Sequence, residues 1–149
     1  MNMLRRVVLD TSTLVSAALR AGSIPHQALL KALASCELCT SSATLNELEQ
    51  VLKRDKSDLY LDAQTRLSFV TLIGQHTHLF GVSKADELRV QPACRDPQDN
   101  KFLALALVCE ADAIISSDND LLVLTPWRSI PILTPAGFVS LNPNHPGPG

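Results

Sequence analysis

Aromatic side chains are scarce, at 4% of 149 residues, so a core can be closed only with Leu, Ala, Val and Ile. No apolar run approaches the ~18 residues of a membrane span. Arg5 and Arg6 are followed so soon by Asp10 that no signal-peptide core can form, and the expected location is the cytoplasm. Cysteine is limited to Cys36, Cys39, Cys94 and Cys109, too few for a disulfide scaffold. Cys36 and Cys39 have the gap of half a zinc knuckle, but no second Cys pair or His pair completes it. An excess of basic charge is missing too: 13 Lys and Arg stand against 15 Asp and Glu, for a net charge of -2. That excludes the broad cationic field of a tight nonspecific nucleic-acid binder and confines any such contact to local groups. What is present is 46% hydrophobic and 19% charged residues, the composition of one folded aliphatic domain. Its expected extent is residues 1–141, with a disordered Pro/Gly tail over 142–149.

Along the chain, strands and helices alternate. Arg5 to Asp10 reads as a strand whose apolar run is continuous, the pattern of a parallel strand covered on both faces. Thr13 to Leu19 and Pro25 to Ala34 read as helices, and Leu38 to Thr40 as a second strand. Ser41 and Ser42 offer caps for a helix carrying Leu45, Leu48, Val51 and Leu52 at helical spacing. Lys53 to Asp58 reads as a surface turn, Leu61 to His76 as an amphipathic helix, Leu79 to Val82 as a short strand and Lys84 to Ala93 as loop or edge. Asn100 to Glu110 reads as helix, Ala113 to Ser116 as a buried strand, Ile130 to Leu133 as a last strand and Pro135 to Leu141 as a last helical turn. This alternation predicts an α/β fold of three layers, a mainly parallel central sheet flanked by helices. Ligands of such sheets gather at the carboxyl ends of the strands.

The residues expected there are acids. Asp10 ends the first strand, Glu47 lies on the helix after the second, Asp99 opens a later helix, and Asp118 follows the fourth strand. Two carboxylates ~5 Å apart repel by roughly 3 kcal/mol at an effective dielectric of ~20, so four in one pocket call for protonation or a cation. An oxygen-only donor set favours Mg²⁺ or Mn²⁺, which could activate water and stabilise charge on a phosphodiester. Each acid also has a structural reading. Asp96 is a good N-cap before Pro97, and Asp99 would then complete a capping box or suit the helix dipole. Ser117 and Asp120 have capping-box spacing, and Asp118-Asn119 is ordinary turn chemistry. Glu47 and Glu49 border opposite sides of the apolar stripe, and periodicity does not choose between them. Asp10 has the least structural excuse, since an acid closing a buried strand stabilises little.

The succession Val7-Val8-Leu9-Asp10-Thr11-Ser12, Asn46-Glu47-Leu48, Arg95-Asp96-Pro97-Gln98-Asp99-Asn100 and Ile115-Ser116-Ser117-Asp118-Asn119-Asp120 resembles the PIN domain. The resemblance runs from Leu4 to Leu141 and is nearest to the toxin components of toxin-antitoxin systems. It implies a metal-dependent ribonuclease whose acids match Asp10, Glu47, Asp99 and Asp118, choosing Glu47 over Glu49, with Asp96 and Asp120 as auxiliary acids. Ser12 stands where many members have Asn, and Ser116 where Thr is common; each keeps a hydroxyl that can orient a carboxylate or water.

The resulting expectation is an endonuclease of single-stranded RNA. Asp10, Asp99 and Asp118 hold one or two metal ions, Glu47 completes a second site or assists the water, and cleavage leaves a 5′-phosphate and a 3′-hydroxyl. Lys53, Arg54, Arg95 and Lys101, with Arg20, are the expected substrate-binding rim, repeated by a second subunit in a homodimer. A small antitoxin is the expected protein partner. Two alternatives stand beside this: a binding module acting through a protein partner, and a haloacid-dehalogenase-like phosphatase. The phosphatase needs a second Asp two residues after the first, where this chain has Ser12.

Overall fold

The computed structural model describes residues 4–54 and 62–141. Five strands, β1 (Arg6–Leu9), β2 (Glu37–Ser41), β3 (His78–Phe80), β4 (Ala113–Ile115) and β5 (Ile132–Leu133), form an all-parallel sheet in the order β3-β2-β1-β4-β5. Central β1 shows why its apolar run is unbroken. Val7 and Leu9 join one core with Leu38, Ala113 and Ile115, while Val8 joins another with Cys39, Ile114 and Ile132. Successive side chains of a strand point to opposite faces, and here both faces are covered.

The first core is closed by α1 (Thr11–Leu19), α2 (Ile24–Ser35), α3 (Ser42–Lys53) and α8 (Pro135–Ser140), through Leu14, Ala28, Leu29, Leu48, Leu52 and Phe138, with Ile73 from α4 (Ala63–Gln75). The second is closed by α6 (Asn100–Val108) and α7 (Asn119–Leu122), together with Trp127, whose indole N–H donates to the Pro92 carbonyl at 2.7 Å. In α6 the five residues Phe102 to Ala106 are all buried, which explains a helix with no clear polar face.

Three segments differ from the sequence reading. Lys84 to Ala93, expected as loop or edge, contains helix α5 (Lys84–Leu88). Ser83 and Asp86 cap it reciprocally at 3.0 and 2.8 Å, so local capping makes a helix where no apolar period announces one. The turn after β4 winds into α7, capped by Asp118 rather than by Ser117. The polar turn expected over Lys53 to Asp58 is helix at its first residue, since Lys53 closes α3 and Arg54 is its C-cap. Its remainder, residues 55–58, and the tail expected over 142–149 lie outside the described residues. Among the described residues, no helix is long and apolar enough to cross a membrane.

The chain leaves β1 toward β2 and β3 and returns on the other side of β1 to form β4 and β5. The strand order therefore reverses between β1 and β4, and the crevice at their carboxyl ends is where such a sheet leaves room for a ligand. Asp10 leaves β1 beside the last residue of β4, its N–H donating to the Ile115 carbonyl at 3.1 Å.

Candidate active site

A cleft of about 390 Å³ opens at that crevice, and its walls include Asp10, Glu47, Asp99 and Asp118, with Thr11, Ser12, Val51 and Phe102. Four elements deliver the four acids: the β1–α1 junction, α3, the start of α6 and the β4–α7 junction.

Asp10 is buried, at 3% exposure, and it has the structural role that its sequence position conceals. Its Oδ1 caps α1 by accepting from Thr13 N–H at 3.0 Å. Ser116 donates to its Oδ2 at 2.5 Å, and the Ser12 hydroxyl lies 3.2 Å from both oxygens. Burial still raises its carboxyl above the usual range, against the opposing effect of those hydrogen bonds. The expectation that an acid here contributes little structure is thereby corrected: Asp10 is the N-cap of α1. Ser116, itself fully buried, also accepts from Asp118 N–H at 2.9 Å, so one hydroxyl ties the first acid to the fourth.

Asp99 behaves in the opposite way. Asp96 caps the 3₁₀ turn Pro97–Asp99 by accepting from Gln98 N–H at 3.0 Å. Asp99 takes the N-cap position of α6 yet makes no side-chain cap bond. Its carboxyl is pushed up to about 7, first by burial and then by Asp118, with Asp96 and Glu47 adding to the effect. The buried Cys94 thiol points its S–H at Asp99 Oδ2 across 3.9 Å and at the Asp120 carbonyl across 3.3 Å. Burial pushes that thiol up, as do the nearby acids, so it stays a donor. No feature of the sequence singles out Cys94 as a neighbour of the acids.

Asp118 caps α7 with Oδ1, accepting from Asp120 N–H at 2.9 Å. Asp99, Asp118 and Asp120 each present a carboxylate oxygen within 4.8 Å of the others. Oxygens around one Mg²⁺ lie no more than about 4.2 Å apart, twice a bond of ~2.1 Å. The three carboxylates are thus within a small closing motion of a shared cation, and their donor chemistry suits a hard one. Among the described residues this trio forms such a group, and Asp10 stands outside it with both oxygens engaged. Asp120, expected as auxiliary, is inside it.

Glu47 faces the cleft from α3, whereas Glu49 pairs with Lys53 at 3.0 Å. Both Glu47 oxygens are held: Thr11 Oγ1 donates to Oε2, and Lys101 Nζ lies 2.5 Å from Oε1. Of the five cations expected on the rim, Arg95 is exposed and 3.9 Å from Asp120 Oδ1, and Arg20, also exposed, is the C-cap at the far end of α1 from Asp10. Lys101 instead sits inside the cleft wall, with its side chain only 13% exposed. Lys53 lines a second, largely apolar cavity between α3 and α4 with Leu52, Leu67 and Val70. Arg54 lies seven residues beyond Glu47, about 10 Å of helical rise from it.

Comparison with known proteins agrees with this architecture. No curated protein matches the sequence significantly. The chain superposes on the Mycobacterium tuberculosis protein VapC20, described as a sarcin-ricin loop cleaving toxin, at a TM-score of 0.56 with 16% identity, over 80% of this chain and 95% of that one. VapBC2 from Rickettsia felis, solved with a DNA fragment from its promoter, gives 0.61 with 14% identity, over 87% and 98%. FitAB bound to a DNA fragment gives 0.55 with 17% identity, over 93% and 99%. The PIN domain family model matches residues 6–120, most of the chain and all four cleft acids, and the protein belongs to the PIN domain family.

Proposed function

We propose that the chain is a metal-dependent endoribonuclease cutting single-stranded RNA, the toxin of a toxin-antitoxin pair. The observation that carries this reading is the group of Asp99, Asp118 and Asp120 at the carboxyl ends of the strands, with the Asp99 carboxyl pushed up to about 7 by burial and by Asp118. Like charges held together at that cost are what a divalent cation relieves. PIN family membership and the likeness to VapC20, a toxin by its description, support the substrate class.

Asp99 and Asp118 would hold Mg²⁺ or Mn²⁺, with Asp120 as a third donor; Asp10 orders the cleft through Ser116 from behind them. A cation bound there supplies charge to the scissile phosphate and lowers the pKa of water. The protein's own part is positional. Ser116 and Thr13 fix Asp10, Ser116 fixes the Asp118 backbone, and Asp96 shapes the turn that delivers Asp99. Among the described residues, exposed Arg95 and, farther out, Arg54 and Arg20 are the expected rim cations left to meet the RNA backbone. The cytoplasm, a homodimer and an antitoxin that inserts a basic side chain among Asp10, Asp99 and Asp118 belong to the same reading.

The test is cleavage of a generic single-stranded RNA by purified protein with Mn²⁺ or Mg²⁺. Activity should be abolished by EDTA and by Asp118→Asn, while Asp10→Asn, which retains a capping side chain, should fold and be inactive. The net charge of -2 favours one competing reading, a binding module that acts through a partner. A wild-type protein that binds Mn²⁺ and cuts no RNA would select it. The phosphatase reading lacks its second acid, because Ser12 spends its hydroxyl on Asp10.

A further inference from the structure

The cleft extends past its acids. Thr11 and Ser12 open α1 and Glu47 lies on α3, and four positions on from each of them the wall continues as Val15, Ser16 and Val51. Residues four apart share a helix face, so this second stretch lies one turn, about 6 Å, beyond Thr11 and Glu47 along the two helices. The Thr11 hydroxyl donates to Glu47, which joins α1 to α3 where the stretch begins. Val51 sits on the apolar stripe of α3, yet unlike Leu45, Leu48 and Leu52 it joins neither core among the described residues; it is half-buried in the cleft wall. Val15, on α1, is half-buried at the edge of the first core. Ser16 is half-buried as well, and its hydroxyl has no partner among the described residues, whereas Thr11 and Ser12 spend theirs on Glu47 and Asp10.

We propose that this stretch is a nucleobase site, in which Val15 and Val51 hold the base of one nucleotide flanking the scissile phosphate and Ser16 hydrogen-bonds its edge. The proposal rests on the endoribonuclease reading above and names where its sequence preference arises. The acids, with a cation on them, suit the phosphate of a nucleotide. A second phosphate one turn away would meet an apolar wall that desolvates its charge without pairing it. The uncharged part of the nucleotide is what such a wall accepts, and a base offers two apolar faces with its polar groups confined to the rim. A single unpartnered hydroxyl, able both to donate and to accept, is matched to that rim. The whole cleft, about 390 Å³, lies toward the small end of the roughly 300–1,000 Å³ of small-ligand pockets and suits one splayed nucleotide. Only an unpaired strand can present a base in this way, so the same wall favours single-stranded RNA.

Methyl NMR on valine-labelled protein in EDTA, titrated at millimolar concentration with each of the four ribonucleosides and with ribose as control, reads the site without metal or cleavage. At least one nucleoside should shift the Val15 and Val51 methyls saturably, and ribose should shift neither. Val51→Phe fills the site and should abolish the shift at Val15, while Mn²⁺ binding by calorimetry stays at the wild-type value. Val51→Thr, of the same shape, places a hydroxyl in the wall and should weaken nucleoside binding about fivefold or more, which keeps the proposal testable if the larger side chain prevents folding. Sequencing the ends cut from a random single-stranded RNA pool with Mn²⁺ should show a base preference at one position beside the cut. Ser16→Ala should lower that preference about three- to tenfold, the share of one hydrogen bond. Nucleosides that move the two valines no more than ribose does overturn the site, whether or not the protein cuts RNA. So does a cut pattern without base preference, or one that Ser16→Ala leaves unchanged, and the wall would then serve another occupant such as an apolar side chain of a protein partner. Nucleosides bound at the valines of a protein that cuts no RNA would support the nucleobase site and overturn the nuclease reading alone.

Discussion

Ser116 joins two acids from a fully buried position, donating to Asp10 Oδ2 and accepting from Asp118 N–H. Ser116→Ala would leave both groups without that partner, at about 1–3 kcal/mol of stability. Residues that orient ligands in this way commonly change activity by about 10–100-fold. RNA cleavage by Ser116→Ala should fall by that factor with the fold intact by circular dichroism, while Ser116→Thr, which keeps the hydroxyl, should retain most of it. Asp99 makes a separate prediction. Its folded pKa, pushed up to about 7, lies above the ordinary carboxylate value of about 4. The folded state therefore holds a proton that the unfolded state has lost, and stability falls as pH rises toward 7 and levels off above it. Buried Asp10 shifts in the same direction. Carboxyls held low, such as Asp62 and Asp86 at their caps, are ionised in both states above about pH 5 and add no slope there. In EDTA the melting temperature should drop between pH 5 and 8, and Asp99→Asn should flatten most of that drop and melt higher than wild type at pH 8. A steeper fall in Asp99→Asn would mean that the residue stabilises the helix start after all.

Helix α3 shows how a local signal at an element's start carries the site. Ser41 N–H donates to Thr44 Oγ1 at 2.9 Å and Ser41 Oγ accepts from Thr44 N–H at 3.3 Å, a capping box that fixes where the helix carrying Glu47 begins. Ser41→Ala should cost about 1 kcal/mol, or roughly 2–4 °C in melting temperature. RNA cleavage at 25 °C should be unchanged, since no contact to an acid is lost. That cap was legible in the sequence, as were the continuous apolar strands β1 and β4 and the long periodic helices. Helices α5 and α7 were not, because at five and four residues they are too short for a period and rest on the side-chain caps of Ser83 and Asp118. The site divides along the same line. Strand-end and helix-start positions pointed to Asp10, Asp99 and Asp118, while the family resemblance rather than periodicity singled out Glu47, and all four line one cleft. The pairing of Lys101 with Glu47, and the inclusion of Asp120 with Asp99 and Asp118, depend on how α6 and α7 pack, which one-dimensional spacing does not encode.

At the scale of the whole molecule the question is how a chain with a net charge of -2 holds a polyanion. Near the cleft, Lys101 is spent on Glu47, and Lys53 pairs with Glu49 away from it. Arg95 remains, with its side chain 87% exposed and only a 3.9 Å contact to Asp120, while Arg54 and Arg20 each lie a further helix turn or more from the acids. Each phosphate met on a single strand contributes about -0.7 to the slope of log affinity against log salt. One or two contacts therefore predict a slope shallower than about -2 for RNA binding, measured by fluorescence anisotropy on Asp118→Asn so that no cutting intervenes. Arg95→Gln should reduce the slope by about 0.7, whereas Lys101→Gln should leave it unchanged. A slope steeper than about -3 would require more cations than the described residues of one chain present near its cleft. The added contacts would then come from a second subunit, and the steep slope should appear only at protein concentrations where light scattering finds a dimer.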